Sequence, residues 1–226
     1  MDERLKKLLG LAIEDVIHTG EPVGSQRLVE AYGLEMSPAT IRNWFGELEG
    51  LGYLTHPHTS SGRLPTEKGY RLYVDEIMAK KQLSKRDTQD LNKAIDIARD
   101  NDERKKAAAK CTGDITGSAV VLGLHKSDTY YTGLSHLFAQ PEFSDWQRVV
   151  NFSSILDTLD DMLQRIRQDN YLDPVIRLGR ECPFGSICGS VLVTMGDGSL
   201  FGVLGPMRMD YALAKAVLSS VKQKLK

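Results

Sequence analysis

The residues with the clearest chemistry lie between positions 25 and 71. Ser37-Pro38-Ala39-Thr40-Ile41-Arg42-Asn43 gathers a small residue, hydroxyls, a guanidinium and a carboxamide into one short stretch. Arg and Asn can hydrogen-bond base edges in the DNA major groove, and small neighbours let a helix approach closely. Ser25 upstream, and His58, Thr59, Ser60, Arg63, Lys68 and Arg71 downstream, add hydroxyls, an imidazole and cations. Such groups hold phosphates and set register without reading sequence. The bland alternative is that these are solvated polar positions on an ordinary core helix. Catalysis has little to work with. His125, Asp128, His136, Glu142 and Asp210 could act as acids or bases, but no pair has catalytic spacing, and neither a nucleophile motif nor a phosphate loop accompanies them. Gly196-Asp197-Gly198 reads as a turn. No catalytic residue, cofactor or metal is expected.

The elements around this stretch are those that would present it. Leu5, Leu8, Leu9, Ala12, Ile13, Val16 and Ile17 repeat at helical spacing, and Gly20 ends the run. After a Glu21-Pro22-Val23-Gly24 turn, Ser25 reads as an N-cap and Leu28, Val29 and Tyr32 as one side of a short helix closed by Gly33. Ser37-Pro38 predicts a third helix, with serine as N-cap and proline at its first position. Ile41, Phe45, Leu48 and Leu51 should face inward with Trp44 at their margin, leaving Ala39, Arg42, Asn43 and Gly46 on the opposite side. A short strand at 52–55, a polar segment from His56 to Gly62 and the exit Arg63-Leu64-Pro65 predict a hairpin wing, after which Thr66 caps a helix bearing Lys68 and Arg71. Helix, helix-turn-helix, then wing points to DNA binding, although some such modules bind proteins instead.

Bulk properties constrain the rest. At 226 residues the chain is long enough for two domains. A formal net charge of −1 does not by itself mark a nucleic-acid binder, so local placement carries that reading. With no membrane-length apolar run and no leader pattern, the expectation is a soluble, cytoplasmic protein without membrane contact. Cys111, Cys182 and Cys188 form no C-x-x-C pair, and read as reduced, semi-buried thiols.

Thr19-Gly20-Glu21-Pro22-Val23-Gly24-Ser25, the stretch Ser37 to Asn43, Glu47-Leu48-Glu49, the stretch Pro57 to Arg63 and Pro65-Thr66-Glu67-Lys68-Gly69-Tyr70-Arg71 together resemble the HrcA family of heat-inducible transcription repressors. The likeness continues in Gly133-Leu134-Ser135, Gln140-Pro141-Glu142-Phe143 and Gly205-Pro206-Met207-Arg208-Met209-Asp210-Tyr211. The resemblance implies a homodimeric repressor of chaperone operons that binds double-stranded DNA at an inverted repeat, the CIRCE element. It also implies release on heat shock and a partnership with the GroEL chaperonin. Two departures stand out. Trp44 and Phe45 occupy positions where the family usually carries Glu and Met, which implies altered packing under the third helix. The chain is also shorter than usual, the missing part falling between Leu124 and Gly133, where the family carries part of a GAF-like sheet and a dimerisation insert.

Beyond the first module, 81–112 is dense in charge, with Ser84 and Asp87 spaced as a capping box, and reads as a helical linker in which Arg104-Lys105-Lys106 could touch DNA but is more in keeping with a solvated face. Strands are expected at 119–124 and 129–132 around a Ser127-Asp128 turn, and at 175–178, 190–195 and 200–204, with Gly196-Asp197-Gly198-Ser199 turning the last pair. Ser154 and Asp157 predict a helix start, and Ala214, Val217, Leu218 and Val221 lie on a terminal helix. The expected class is α+β: a winged helix-turn-helix over 1–80, the linker over 81–112, and a reduced GAF-like domain over 113–226. The alternative functional reading is a repressor of the same architecture controlled by a small-molecule effector.

Overall fold

The computed structural model describes residues 1–57, 62–125 and 128–225. The expectations for His58, Thr59, Ser60, Ser61 and Ser127 lie outside the described residues. The chain forms two compact units, Met1–Ala79 and Lys80–Lys226.

In the first unit, helix α1 (Glu3–Thr19) is capped by the Asp2 side chain and ended by Gly20 at φ 75°. Its stripe from Leu5 to Val16 is buried as the spacing predicts. Asp15 is buried on the same helix and accepts two bonds, at 3.0 and 2.8 Å, from Arg27 of α2 (Ser25–Tyr32). The cap of α2 is Gly24, not Ser25, which is the first helical residue. Gly24 already has the extended backbone a cap requires, and no side-chain bond is needed there. Helix α3 (Pro38–Gly50) buries Ile41, Phe45 and Leu48. Leu51, expected inside, is 47% exposed because the helix ends before it and the chain turns through Gly52 at φ 76°. Strands β1 (Leu54–Thr55) and β2 (Leu64–Pro65) pair antiparallel, and α4 (Glu67–Leu72), capped by Thr66, continues into a π-helical turn at Tyr73–Ile77.

The second unit is built on a five-stranded antiparallel sheet. Helices α5 (Lys85–Ile97) and α6 (Asn101–Thr116) precede β3 (Ala119–His125) and β4 (Asp128–Thr132). Then come α7 (Leu134–Phe138), a 3-10 turn at Pro141–Phe143, α8 (Trp146–Asp157) and α9 (Leu159–Arg167). Strands β5 (Val175–Leu178), β6 (Cys188–Thr194) and β7 (Leu200–Pro206) and helix α10 (Tyr211–Lys224) complete it. The sheet order is β4-β3-β7-β6-β5. Every residue of β6 and β7 is buried, as strands covered on both faces must be. On one face, Val121, Leu192 and Leu204 pack with Leu137, Phe143, Phe152, Leu159 and Leu163. On the other, Gly189 lies so close to Tyr211 of α10 that any Cβ there would overlap the phenol, whose hydroxyl donates to the Met207 carbonyl at 2.7 Å.

Two sequence expectations are corrected here. The charged stretch over 81–112 forms α5 and α6, and Lys105 on α6, read as part of a solvated face, is buried. Its ammonium pairs with Asp197 in the β6–β7 turn and lies 3.3 Å from Asp102. The helix start read at Ser154 is overruled: α8 begins at an Asp145 cap and runs through Ser154, and α9 starts after Thr158. The Asp145 side chain accepts the Gln147 N–H at 2.9 Å, and Phe152 of this helix is buried edge-on against Phe138 and Phe143 at 5.6 and 5.8 Å.

Candidate nucleic-acid interface

Helix α3 carries the central group of side chains. Ser37 Oγ accepts the Thr40 N–H at 3.1 Å and lies 2.9 Å from the Thr40 hydroxyl, so both residues are first of all the cap of this helix. Pro38 fills the first position, where its missing N–H has no intrahelical partner to lose. Burial of Ile41, Phe45 and Leu48 fixes the rotation of the helix about its axis. As a result Ala39, Arg42, Asn43 and Gly46 all stand exposed on the other side. Arg42 and Asn43 make no hydrogen bond or ion pair among the described residues, so their donors remain open to an external acceptor.

The hairpin is tied to this helix at its root. Glu49, in the last turn of α3, accepts from His56 Nδ1 just after β1, and its other oxygen lies 3.1 Å from Arg63 Nε just before β2. Arg63 also exchanges two backbone bonds with Val23, each at 2.9 Å, which brings the turn before α2 alongside the hairpin. Gly62 makes that approach feasible. A Cβ there would stand 2.7 Å from the carbonyl oxygens of Pro22 and Val23.

The remaining expected positions are less available. Lys68 on α4 donates to the Leu51 carbonyl at 2.8 Å and lies 4.4 Å over the Tyr53 ring. Arg71 approaches Asp75 at 3.6 Å, one turn along. Ser25 is half-buried at the start of α2. The structure thus gathers Ala39, Arg42 and Asn43 on one face with Ser37 and Thr40 at its N-terminal end, tethers Arg63 to the far end, and directs Lys68 and Arg71 toward internal partners. Spacing alone does not reveal Glu49 and His56 as positioning residues, because their role depends on the register of the hairpin. An acid in the last turn of a helix followed closely by two basic residues is the only signal they leave.

The family model for the HrcA protein C-terminal domain matches residues 73–214. The chain belongs to the HrcA family. Relatives named heat-inducible transcription repressor HrcA agree. That of Acetivibrio thermocellus is 47% identical over 96 residues, covering 42% of this chain and 27% of the relative. The Cutibacterium acnes protein is 41% identical over 122 residues, 54% of this chain and 36% of its own. The Geobacter sulfurreducens protein is 52% identical over 85 residues, 38% and 25% respectively. These matches therefore span between a quarter and little more than a third of the relatives' length. A crystal structure described as a hypothetical protein at 2.2 Å resolution superposes with a TM-score of 0.72 at 16% identity, over 100% of this chain and 96% of that one, which speaks to fold alone.

Two of the stretches that carry the HrcA likeness meet in the second unit. Arg208 reaches Glu142 and Gln140, joining the segment after β7 to the 3-10 turn. Asp210 caps α10 by accepting the Leu213 N–H at 3.0 Å, and it receives Lys81 Nζ at 2.5 Å. These polar residues hold the HrcA fold together, so their chemistry is spent internally. Among the described residues no cluster of His, Cys, Asp or Glu is arranged to hold a metal, and no helix is long and apolar enough to cross a membrane.

Proposed function

We propose that this chain is a DNA-binding transcriptional repressor of heat-shock operons, not an enzyme, which reads a CIRCE-type inverted repeat as a dimer and releases it under heat stress. The observation that carries the reading is the exposed face of α3, where Arg42 and Asn43 stand without internal partners between the small residues Ala39 and Gly46. Residues 1–80 act as the winged helix-turn-helix, with α3 in the major groove and the hairpin from Pro57 to Arg63 on the flanking backbone. The capped N-terminus of α3 suits a phosphate as well, since helix N-termini attract anions. Ser25, Ser37, Thr40, His58, Thr59, Ser60, Lys68 and Arg71 are assigned to backbone contacts, Lys68 through donors left over from its bond to Leu51. The antiparallel sheet with helices on both faces supports a GAF-like assembly domain over 113–226. An inverted repeat requires two readers related by a two-fold axis. GroEL is the partner proposed to keep the repressor active, and the cytoplasm the compartment. Identity to proteins named heat-inducible transcription repressors supports the regulatory role.

The test is fluorescence-anisotropy binding to a duplex carrying the CIRCE repeat and to a scrambled duplex, across a salt series and on both sides of a heat-shock temperature. Specific binding that weakens steeply with salt and is lost on heating supports the proposal. Equal weak binding to both duplexes overturns it. Sedimentation showing a monomer at micromolar concentration, with and without operator, removes the dimer.

A further inference from the structure

A cleft of about 130 Å³ opens within the first unit, between Leu8 and Leu11 of α1, Leu34 and Met36 of the turn joining α2 to α3, and Trp44 of α3. The operator reading does not use it. Trp44 lies on the side of α3 turned away from Ala39, Arg42, Asn43 and Gly46. Two cations border the cleft, and they are not equivalent. Arg4 is committed: it binds Asp2 at 2.8 Å, approaches Glu47 at 3.8 Å and lies 5.4 Å over the Trp44 ring. Lys7 is exposed and makes no hydrogen bond or ion pair among the described residues.

We propose that this cleft binds a small aromatic carboxylate, with the ring against Trp44 and the leucines and the carboxylate on Lys7. Size argues for a single ring, because an apolar cavity of about 150 Å³ stays dry and accepts benzene. The lining argues for an aromatic one, since an indole offers offset or edge-on ring packing beyond simple area burial. Charge argues for an anion. Lys7 is an unpaired point charge at the border, a carboxylate gives it a charge-assisted bond, and a cationic ligand would be repelled by both Lys7 and Arg4. The cleft touches the turn that leads into Ser37, so an occupant braces the start of α3.

The sequence has two tryptophans, and Trp146 is 73% exposed in the other unit, so a Trp146→Phe chain reports Trp44 alone. Benzoate titrated into this chain, against sodium chloride of equal ionic strength, is expected to change Trp44 emission saturably with a Kd of about 1–10 mM, the range for so few atoms. Benzamide, the neutral isostere, should bind about tenfold more weakly. Lys7→Gln should remove that difference while leaving benzamide binding unchanged, and Leu11→Phe, which adds bulk to the cleft without adding an indole, should abolish both responses. No saturable response to benzoate overturns the proposal, and so does equal binding of benzamide to the Lys7 chain. A change in Trp44 emission that follows protein concentration instead of benzoate would mean that a second copy occupies the cleft, which also overturns it. No DNA is present in these measurements, so their outcome is separate from that of the operator test.

Discussion

Arg208 and Glu142 lie 66 residues apart in the chain and face each other through two parallel bonds, Nε to Oε1 at 2.6 Å and Nη2 to Oε2 at 3.2 Å. The arginine side chain is only 12% exposed, and Nη2 also donates to Gln140 Oε1 at 2.7 Å. Truncation leaves a carboxylate that is 27% exposed, so water replaces its partner in part. Arg208→Ala is expected to destabilise the second unit by about 1–2 kcal/mol, below the range for a fully buried pair, read from the urea midpoint. Arg208→Lys should recover less than half of the loss, because an ammonium cannot span both oxygens and the carboxamide.

Arg42 is the side chain on which base reading rests. Arg42→Ala should lower operator affinity by about 1–3 kcal/mol and relax discrimination against the scrambled duplex, with no change in melting temperature. Unchanged affinity and specificity would remove Arg42 from the interface.

Gly62→Ala tests the seat of the hairpin. A Cβ within 2.7 Å of two carbonyl oxygens forces the segment away from Val23, since backbone cannot yield as a flexible side chain does. The expected result is a loss of stability of about 1–3 kcal/mol, as for overpacked cores, together with weaker operator binding. Gly46→Ala, where nothing lies within 4 Å of the new methyl, should be at least as stable as the parent.

The Lys105–Asp197 pair makes a pH prediction. Burial raises the Asp197 carboxyl, but bonds from Lys105 and from the Ser199 hydroxyl and N–H outweigh it and hold the group at about 2. A carboxyl depressed in the folded state contributes stability above its unfolded value near 4, and that contribution disappears as the pH falls through the folded value. Melting temperature should therefore fall between about pH 4 and pH 2, and Asp197→Asn should flatten that part of the profile. Superimposable profiles for the two chains would exclude the pair as the cause.

Burial pushes the Cys182 thiol up to about 11 and raises Cys188 as well, so neither supplies thiolate near neutral pH. Burial raises Cys111 too, but that thiol is only partly covered, so mass spectrometry after brief iodoacetamide treatment at pH 8 should find more label on Cys111 than on either of the other two. All three should react in urea.

Much of α1 and α3 is legible in the sequence because each carries its own instructions: an apolar stripe, a capping side chain and a defined stop. The face bearing Arg42 and Asn43 follows from the same helical period. What escapes is whatever depends on a partner distant in the chain. Lys105 reads as solvated until the β6–β7 turn supplies Asp197, and Lys68 reads as a free cation until the carbonyl of Leu51 comes within reach. The start of helix α8 escapes for a different reason: it is set by a local cap at Asp145, and the Ser154–Asp157 pattern falls inside the helix.

The single carboxylate of Glu49 holds both roots of the hairpin, through His56 on one side and Arg63 on the other. Helix and hairpin share this side-chain tie beside the Tyr53 N–H bond to the Leu48 carbonyl and the two backbone bonds between Arg63 and Val23. Were the last turn of α3 to fray, both side-chain ties would be lost in the same event, leaving the Arg63 root on its bonds to Val23. The grip on the backbone would then outlast the seating of the reading helix, held from the side of α2.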